Sequence, residues 1–182
     1  MHTLRFATVA VRDYNKVGAL TVSTRYVVRA VARQLGHAHH FIVEYGAGDG
    51  ILCKTLLKRL PEEGRLTAVE LNDHFYDELG RIRDPRFHAI KGDAISMSRR
   101  PETFRLPWID AVVSSIPLSF VDPEGREELI RNTWEALRPG GVFVVYQYTP
   151  LILKLLGKYF RRLSTAFEPR NIPPYFIMRA EK

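Results

Sequence analysis

The chain has 182 residues, enough for one domain with a sizeable core, and its 46% hydrophobic and 26% charged content is that of a globular protein. Its one cysteine, Cys53, excludes an internal disulfide and suits a reducing cytoplasm; no apolar run approaches the ~20 residues that span a bilayer, and Arg5 and Arg12 interrupt the apolar start a signal peptide would need. The net charge of +7 points to anionic partners, and the surplus is uneven: residues 1–35 carry six basic residues against Asp13, and residues 151–163 carry Lys154, Lys158, Arg161 and Arg162 with no acid.

In chain order, residues 3–16 predict a helix with Leu4, Ala7, Val11 and Tyr14 on one stripe, broken by Gly18. Thr21 or Ser23 is placed to cap a second helix running to about Leu35. Val27, Val28, Val31 and Leu35 form its apolar side, and Arg25, Arg29 and Arg33 a basic ridge. A strand over 41–45 leads to a helix over 50–60, stopped by Pro61. A second strand over 65–70 leads to a helix capped by Asn72 and ending near Ile82, and a third strand covers 86–90. A fourth strand spans 108–114. Asp122-Pro123-Glu124 then supplies a cap, a proline at the first helical position and an acid in the first turn. Leu129, Ile130, Trp134 and Leu137 mark that helix's inner face. Arg138-Pro-Gly-Gly141 turns the chain into a fifth strand, 142–148. Thr149-Pro150 repeats the cap device before an amphipathic helix over 151–163, and two strands over 164–168 and 174–180 close the chain. Strands alternating with helices predict an α/β fold, a parallel sheet with helices on both faces joined by right-handed crossovers.

The segment Phe41-Ile-Val-Glu-Tyr-Gly-Ala-Gly-Asp-Gly-Ile51 runs from a strand into a turn with three alternating glycines. Ligands of open α/β sheets bind at the carboxyl ends of strands, and glycine lets backbone approach them closely. A dinucleotide fold wants G-x-G-x-x-G; Gly46 and Gly48 match its first two glycines, but the third position is Ile51. Glu70, about 20 residues on, is placed for ribose hydroxyls in either ligand class.

Together, Glu44-Tyr-Gly-Ala-Gly-Asp-Gly50, Glu70, Gly92-Asp93-Ala94 and Leu137-Arg-Pro-Gly-Gly141 resemble class I S-adenosylmethionine-dependent methyltransferases in order and spacing. The resemblance implies a Rossmann-like, mostly parallel seven-stranded sheet. It implies that Glu44, Gly46, Ala47 and Gly48 take the methionine part of the cofactor, Glu70 and Leu71 the ribose side, and Asp93 and Ala94 the adenine, with Ser114 at the site's edge. S-adenosylmethionine is the expected cofactor, with no metal; His37, His39 and His40 lack a cysteine or acid at ligand spacing.

The loop after the fourth strand, Ser114-Ser-Ile-Pro-Leu118, is similar to the Ser-Gly-Leu-Pro-Leu loop of bacterial phospholipid N-methyltransferases. Asn15-Lys-Val-Gly-Ala-Leu-Thr-Val-Ser-Thr-Arg25, Val145-Tyr-Gln-Tyr-Thr149 and Arg170-Asn-Ile-Pro-Pro174 resemble further segments of that family. Val22, Thr24 and Asp49 depart from its pattern. The resemblance implies methylation of the phosphatidylethanolamine amine by an enzyme peripheral to the inner face of the cytoplasmic membrane. Basic amphipathic helices over 3–16 and 151–163 would reach the anionic surface. Positioning supplies much of the barrier reduction in such a transfer, and aromatic faces can hold the alkylated ammonium. Tyr26, Ser114, Tyr146 and the Ile116 carbonyl are therefore catalytic candidates, and Arg25, Tyr148, Arg170 and Tyr175 substrate-binding ones. A monomer with residues 1–36 as a helical segment over a 40–182 core is expected, with no nucleic-acid partner. An rRNA adenine N6-methyltransferase and a cofactor-binding protein without catalysis are the alternatives. The first would favour an aromatic beside the proline loop, where Leu118 stands, and an added domain.

Overall fold

The computed structural model describes residues 23–36 and 38–182; the helix expected over 3–16, most of the Asn15–Arg25 segment and His37 lie outside them. One seven-stranded sheet organises these residues. Its strands are β1 (Phe41–Tyr45), β2 (Arg65–Glu70), β3 (Phe87–Lys91), β4 (Ile109–Ser114), β5 (Leu137–Gln147), β6 (Arg162–Glu168) and β7 (Tyr175–Glu181). Their order is β3-β2-β1-β4-β5-β7-β6. The first five strands are parallel, while β7 runs antiparallel to both β5 and β6. The strand order reverses between β1 and β4, which opens a crevice at the carboxyl edge.

Helices cover both faces. On one lie α1 (Arg25–Ala32), α2 (Ile51–Leu57) and α3 (Asp73–Leu79), packed through Val27, Val31, Leu52, Leu56 and Leu79. On the other lie α4 (Ala94–Ser98), α5 (Pro123–Ala136) and α6 (Leu153–Tyr159), packed through Ala94, Leu129, Ile130 and Leu156. The central strands β1, β2 and β4, and β5 from Gly141 on, read as mostly apolar runs because both of their faces are buried. Asn72 and Asp122 cap their helices as expected, and α1 is capped by Thr24 rather than by Thr21 or Ser23; each accepts from a backbone N–H of its helix's first turn.

Two buried polar side chains fasten segments that periodicity cannot relate. Asp110, 2% exposed, accepts from the N–H groups of His40 and Phe41 at 2.8 Å each, and pairs with Arg138, which lies at the start of β5 and not in a turn before it. It thus ties the entry to β1 and the entry to β5 onto β4. Asn171, fully buried, accepts from Thr24 N–H at 3.1 Å and donates to the Pro173 carbonyl at 2.9 Å. That bond pins the start of α1 to the β6–β7 loop, 147 residues away in sequence.

The apolar side of residues 151–163 differs from its expected role at an interface. Ile152, Leu156 and Phe160 are buried against the sheet beside Phe143 and Ala180, and Lys158 and Tyr159 both bond Glu127 of α5. An amphipathic stripe reads the same whether water-shunning atoms meet lipid or a sheet; here the sheet takes them.

Replacing Asn171 by alanine leaves the Thr24 N–H and the Pro173 carbonyl without their partner. A loss of about 1–3 kcal/mol in urea denaturation is expected. Unchanged stability would show that the clip is not holding α1.

Candidate active site

The glycine turn follows β1 and crosses onto β2: Gly46 N–H donates to the Val69 carbonyl at 2.9 Å. Gly46 and Gly48 both have positive φ, +73° and +55°. At Gly46 a Cβ would also meet Ile116 Cγ1 at 3.0 Å and Ser115 Oγ at 3.1 Å, so a side chain there would crowd that loop as well as strain the dihedral. At Gly48 a Cβ would meet nothing within 4 Å; the backbone faces open space where a ligand can lie against it.

Carboxylates surround this turn. Glu70, 2% exposed, accepts from Gly48 N–H and from Asn72 N–H, one oxygen to each at 2.8 Å. Each oxygen keeps a further lone pair, which suits a ribose diol. Glu44 is fully buried; Cys53 Sγ donates to its Oε2 at 2.9 Å, and Oε1 is the buried side-chain oxygen left without a partner among the described residues. Burial pushes the Glu44 carboxyl up to about 8, and the nearby Glu70 and Asp49 charges push the same way against the Cys53 hydrogen bond. Burial and the Glu44 charge push the Cys53 thiol well up. The Glu70 and Asp49 carboxylates beside this turn favour a cationic ligand over a pyrophosphate. The dinucleotide alternative is therefore disfavoured on electrostatic grounds.

Leu71 stands 42% exposed just beyond β2, an apolar surface beside Glu70. Asp93 caps α4, its Oδ2 accepting from Ser96 N–H at 2.8 Å, and Ala94 is buried in the first turn.

The loop after β4 lies directly against the glycine turn. Ser115 Oγ donates to the Gly46 carbonyl, and Ser115 N–H bonds the Tyr45 carbonyl at 3.1 Å. Ser114 is fully buried and its Oγ accepts from Ile116 N–H at 3.3 Å. Its hydroxyl shapes the loop, while Ser115, which the sequence reading passed over, joins the loop to the turn. Gln147 holds the loop from behind: its Oε1 accepts from Leu118 N–H at 3.0 Å and its Nε2 donates to the Thr149 carbonyl at 2.7 Å.

The aromatic candidates separate. Tyr148 is half-buried, its hydroxyl 2.9 Å from Ser119 Oγ, and its ring lies 6.1 Å from that of Phe120, which is 50% exposed. Phe120 was missed because no periodicity marks it; its place two residues beyond the proline loop's Leu118 was the available signal. Tyr146 and Tyr175 are 3% and 7% exposed, 6.1 Å apart in the core on the α1 side. Tyr26 does not offer a bare face: the Arg170 guanidinium stacks on it at 4.3 Å and the Arg25 guanidinium lies 5.1 Å from its centroid. Arg25 also donates to the Tyr26 hydroxyl at 3.2 Å. Arg170 binds Glu168 through two contacts of 2.7 Å each, which raises the guanidinium and lowers the carboxyl. The structure thus gathers Tyr26, Arg25 and Arg170 into one cluster and places Tyr148, with Phe120, beside the proline loop. Among the described residues no cluster of three His, Cys, Asp or Glu side chains could hold a metal; His39 Nδ1 instead contacts Gly36.

Residues 42–141 match the family model of the methyltransferase domain. The chain is a class I S-adenosylmethionine-dependent methyltransferase. It is 25% identical over 162 residues to an ornithine lipid N-methyltransferase of Singulisphaera acidiphila, covering 87% of this chain and 84% of that one. It is 24% identical to the ubiquinone/menaquinone biosynthesis C-methyltransferase UbiE of Proteus mirabilis, over 87% of this chain and 61% of that one. The N-methyltransferase NodS of Bradyrhizobium japonicum has a similar fold, with TM-score 0.70 at 15% identity over 85% of this chain and 93% of that one. The precorrin-6y C5,15-methyltransferase of Geobacter metallireducens follows at TM-score 0.68 and 17% identity, over 89% of this chain and 90% of that one.

The methyltransferase's turn fits its cofactor. S-adenosylmethionine supplies an electrophilic methyl carbon on a sulfonium. Glu44 and the Gly46–Gly48 backbone would hold its cationic methionine end, and Glu70 and Leu71 its nucleoside. Glu70→Ala removes an acceptor and the clamp on Gly48 N–H; cofactor affinity by calorimetry is expected to fall about 10- to 100-fold, and unchanged affinity would contradict the assignment.

The Glu44 shift sets a pH dependence. Its folded-state value lies above the ordinary 4.5, so between 4.5 and about 8 the folded chain holds a proton that the unfolded chain has released. Stability conferred below that window is lost as pH rises through it. Glu44→Gln is expected to flatten the decline in urea midpoint between about pH 5 and about pH 9; an equally steep decline in the variant would place the proton elsewhere.

Proposed function

We propose that this methyltransferase transfers a methyl group to the headgroup amine of a phospholipid, phosphatidylethanolamine and its mono- and dimethyl forms, at a membrane surface. The observation that carries the reading is the aromatic pair Phe120–Tyr148 beside the Ser114–Leu118 loop, which itself abuts the glycine turn. An amine must arrive deprotonated, with its lone pair aimed at the methyl carbon, and leave as a larger cation. Aromatic faces attract that cation without donating or accepting a proton. The Ser115 bond to Gly46 fixes the distance between acceptor loop and cofactor turn, and such positioning lowers the barrier without a strong base. The Ser119 hydroxyl on Tyr148 offers a route by which the amine's proton reaches water.

The likeness to a lipid N-methyltransferase over most of both chains supports a lipid amine as acceptor. Among the described residues no helix is long and apolar enough to cross a membrane.

Incubation with labelled S-adenosylmethionine and mixed micelles of phosphatidylethanolamine or ornithine lipid, with rRNA in parallel, tests the proposal. Label is expected in phosphatidylethanolamine, and label in ornithine lipid alone would refute the phospholipid acceptor. Label in rRNA alone would sink it. Phe120→Ala is expected to raise KM for the lipid about tenfold with little change in cofactor affinity; an unchanged KM would remove the aromatic pair from the site.

A further inference from the structure

Of the large apolar side chains left exposed among the described residues, all but Trp108 and Leu163 stand at the carboxyl edge of the sheet. Leu71 belongs to the cofactor site. The others are Phe120 at 50%, Leu151 at 55%, Phe167 at 56% and Ile172 at 86%. They come from three separate connections. Phe120 follows β4 and Leu151 follows β5. Because β7 reverses direction and β6 reverses again, β6 ends on this same edge, which brings Phe167 and the Ile172 loop there. A single exposed isoleucine needs no explanation, but several apolar tips on one edge do.

Charge is divided along that edge. Asp49, Asp73, Asp93 and Asp122 stand beyond the ends of β1 to β4. On the β5–β7–β6 half, Asn171 draws the start of α1 against the loop, so Arg25 and Arg170 meet on Tyr26. The nearby acid, Glu168, is buried and held by Arg170. Arg29 and Arg33 continue the basic ridge along a helix without acids.

We infer that the β5–β7–β6 half of the carboxyl edge is a docking face for an anionic phospholipid surface. Leu151, Phe167 and Ile172 enter the headgroup layer while Arg25 and Arg170 meet phosphates. Apolar tips set beside basic side chains are what such a boundary selects. A nucleic acid would instead want flat rings open for stacking; here Phe167 packs on Phe176 at 5.1 Å and Ile172 is aliphatic. The inference rests on the lipid reading above and adds an orientation: the cofactor turn and proline loop open toward the bilayer, so a headgroup amine reaches them while its tails stay in the membrane.

The test is co-sedimentation of the whole chain with phosphatidylcholine vesicles containing about 30 mol% phosphatidylglycerol, and with vesicles lacking it. The wild type is expected to sediment with the anionic vesicles, and Leu151→Asp with Ile172→Asp to weaken this by about tenfold or more while S-adenosylhomocysteine binding is unchanged. Trp108→Gln, on the opposite edge, is expected to bind vesicles as the wild type does. No vesicle binding by the wild type, equal loss in Trp108→Gln, or displacement of vesicles by rRNA would overturn the inference. Vesicle binding lost in the double variant, with no label on any aminolipid, would keep the docking face and refute the proposed acceptor. Label on micellar lipid without vesicle binding would do the reverse.

Discussion

The close approach of two loops at Gly46 is the constraint on which the site depends. A Cβ there would crowd Ile116 and Ser115, and its absence lets the loop after β4 lie close against the turn after β1. The Ser115 hydroxyl then closes the gap with a hydrogen bond to the Gly46 carbonyl. Neither loop can move without carrying the other, so the groups that would hold the methyl donor and those that would present the acceptor share one rigid frame. Gln147 braces that frame through β5, joining the third parallel strand of the crevice to the same assembly. Catalysis by placement needs this kind of stiffness more than it needs an acid or a base.

Electrostatics divides the labour along the carboxyl edge. Acids gather where a sulfonium and an ammonium would sit, and the burial of Glu44 keeps one of them poised to ionise when a cation arrives. Arginines gather two strands away. On the proposed function, a lipid with an anionic phosphate and a basic amine would meet both signs in the order that its headgroup presents them.

Much of the frame was legible in the residues. The strands over 41–45 and 65–70 coincide with β1 and β2, because apolar runs bounded by glycine, proline and charge have few other solutions in an α/β chain. The second helix kept its apolar side, with Val27, Val28, Val31 and Leu35 all buried. Short elements escaped notice. The five residues of α4 and the single turn at Pro101–Phe104 hold too little periodicity to announce themselves. The site was half legible. Glu44, Gly46 and Gly48 lie in one contiguous segment with Glu70 at the end of the next strand, and the structure brings them around one turn. Ser115, Phe120 and the cover over Tyr26 depend on contacts between segments 69, 28 and 144 residues apart, which no local signal encodes. The same blindness explains α6, whose apolar stripe cannot reveal what it packs on.

The position of β7 carries a consequence for assembly. β6 pairs with β7 and not with β5, although it precedes β7 in the chain. During synthesis β6 therefore has no neighbour to join until β7 has emerged and slipped between them. The Asn171 clip to α1 lies in the same late hairpin, so the earliest helix described is also among the last pieces fastened. A ribosome-bound chain lacking β7 would expose the flank of β5 along its whole length, and that edge is where chaperone contact or mispairing would concentrate.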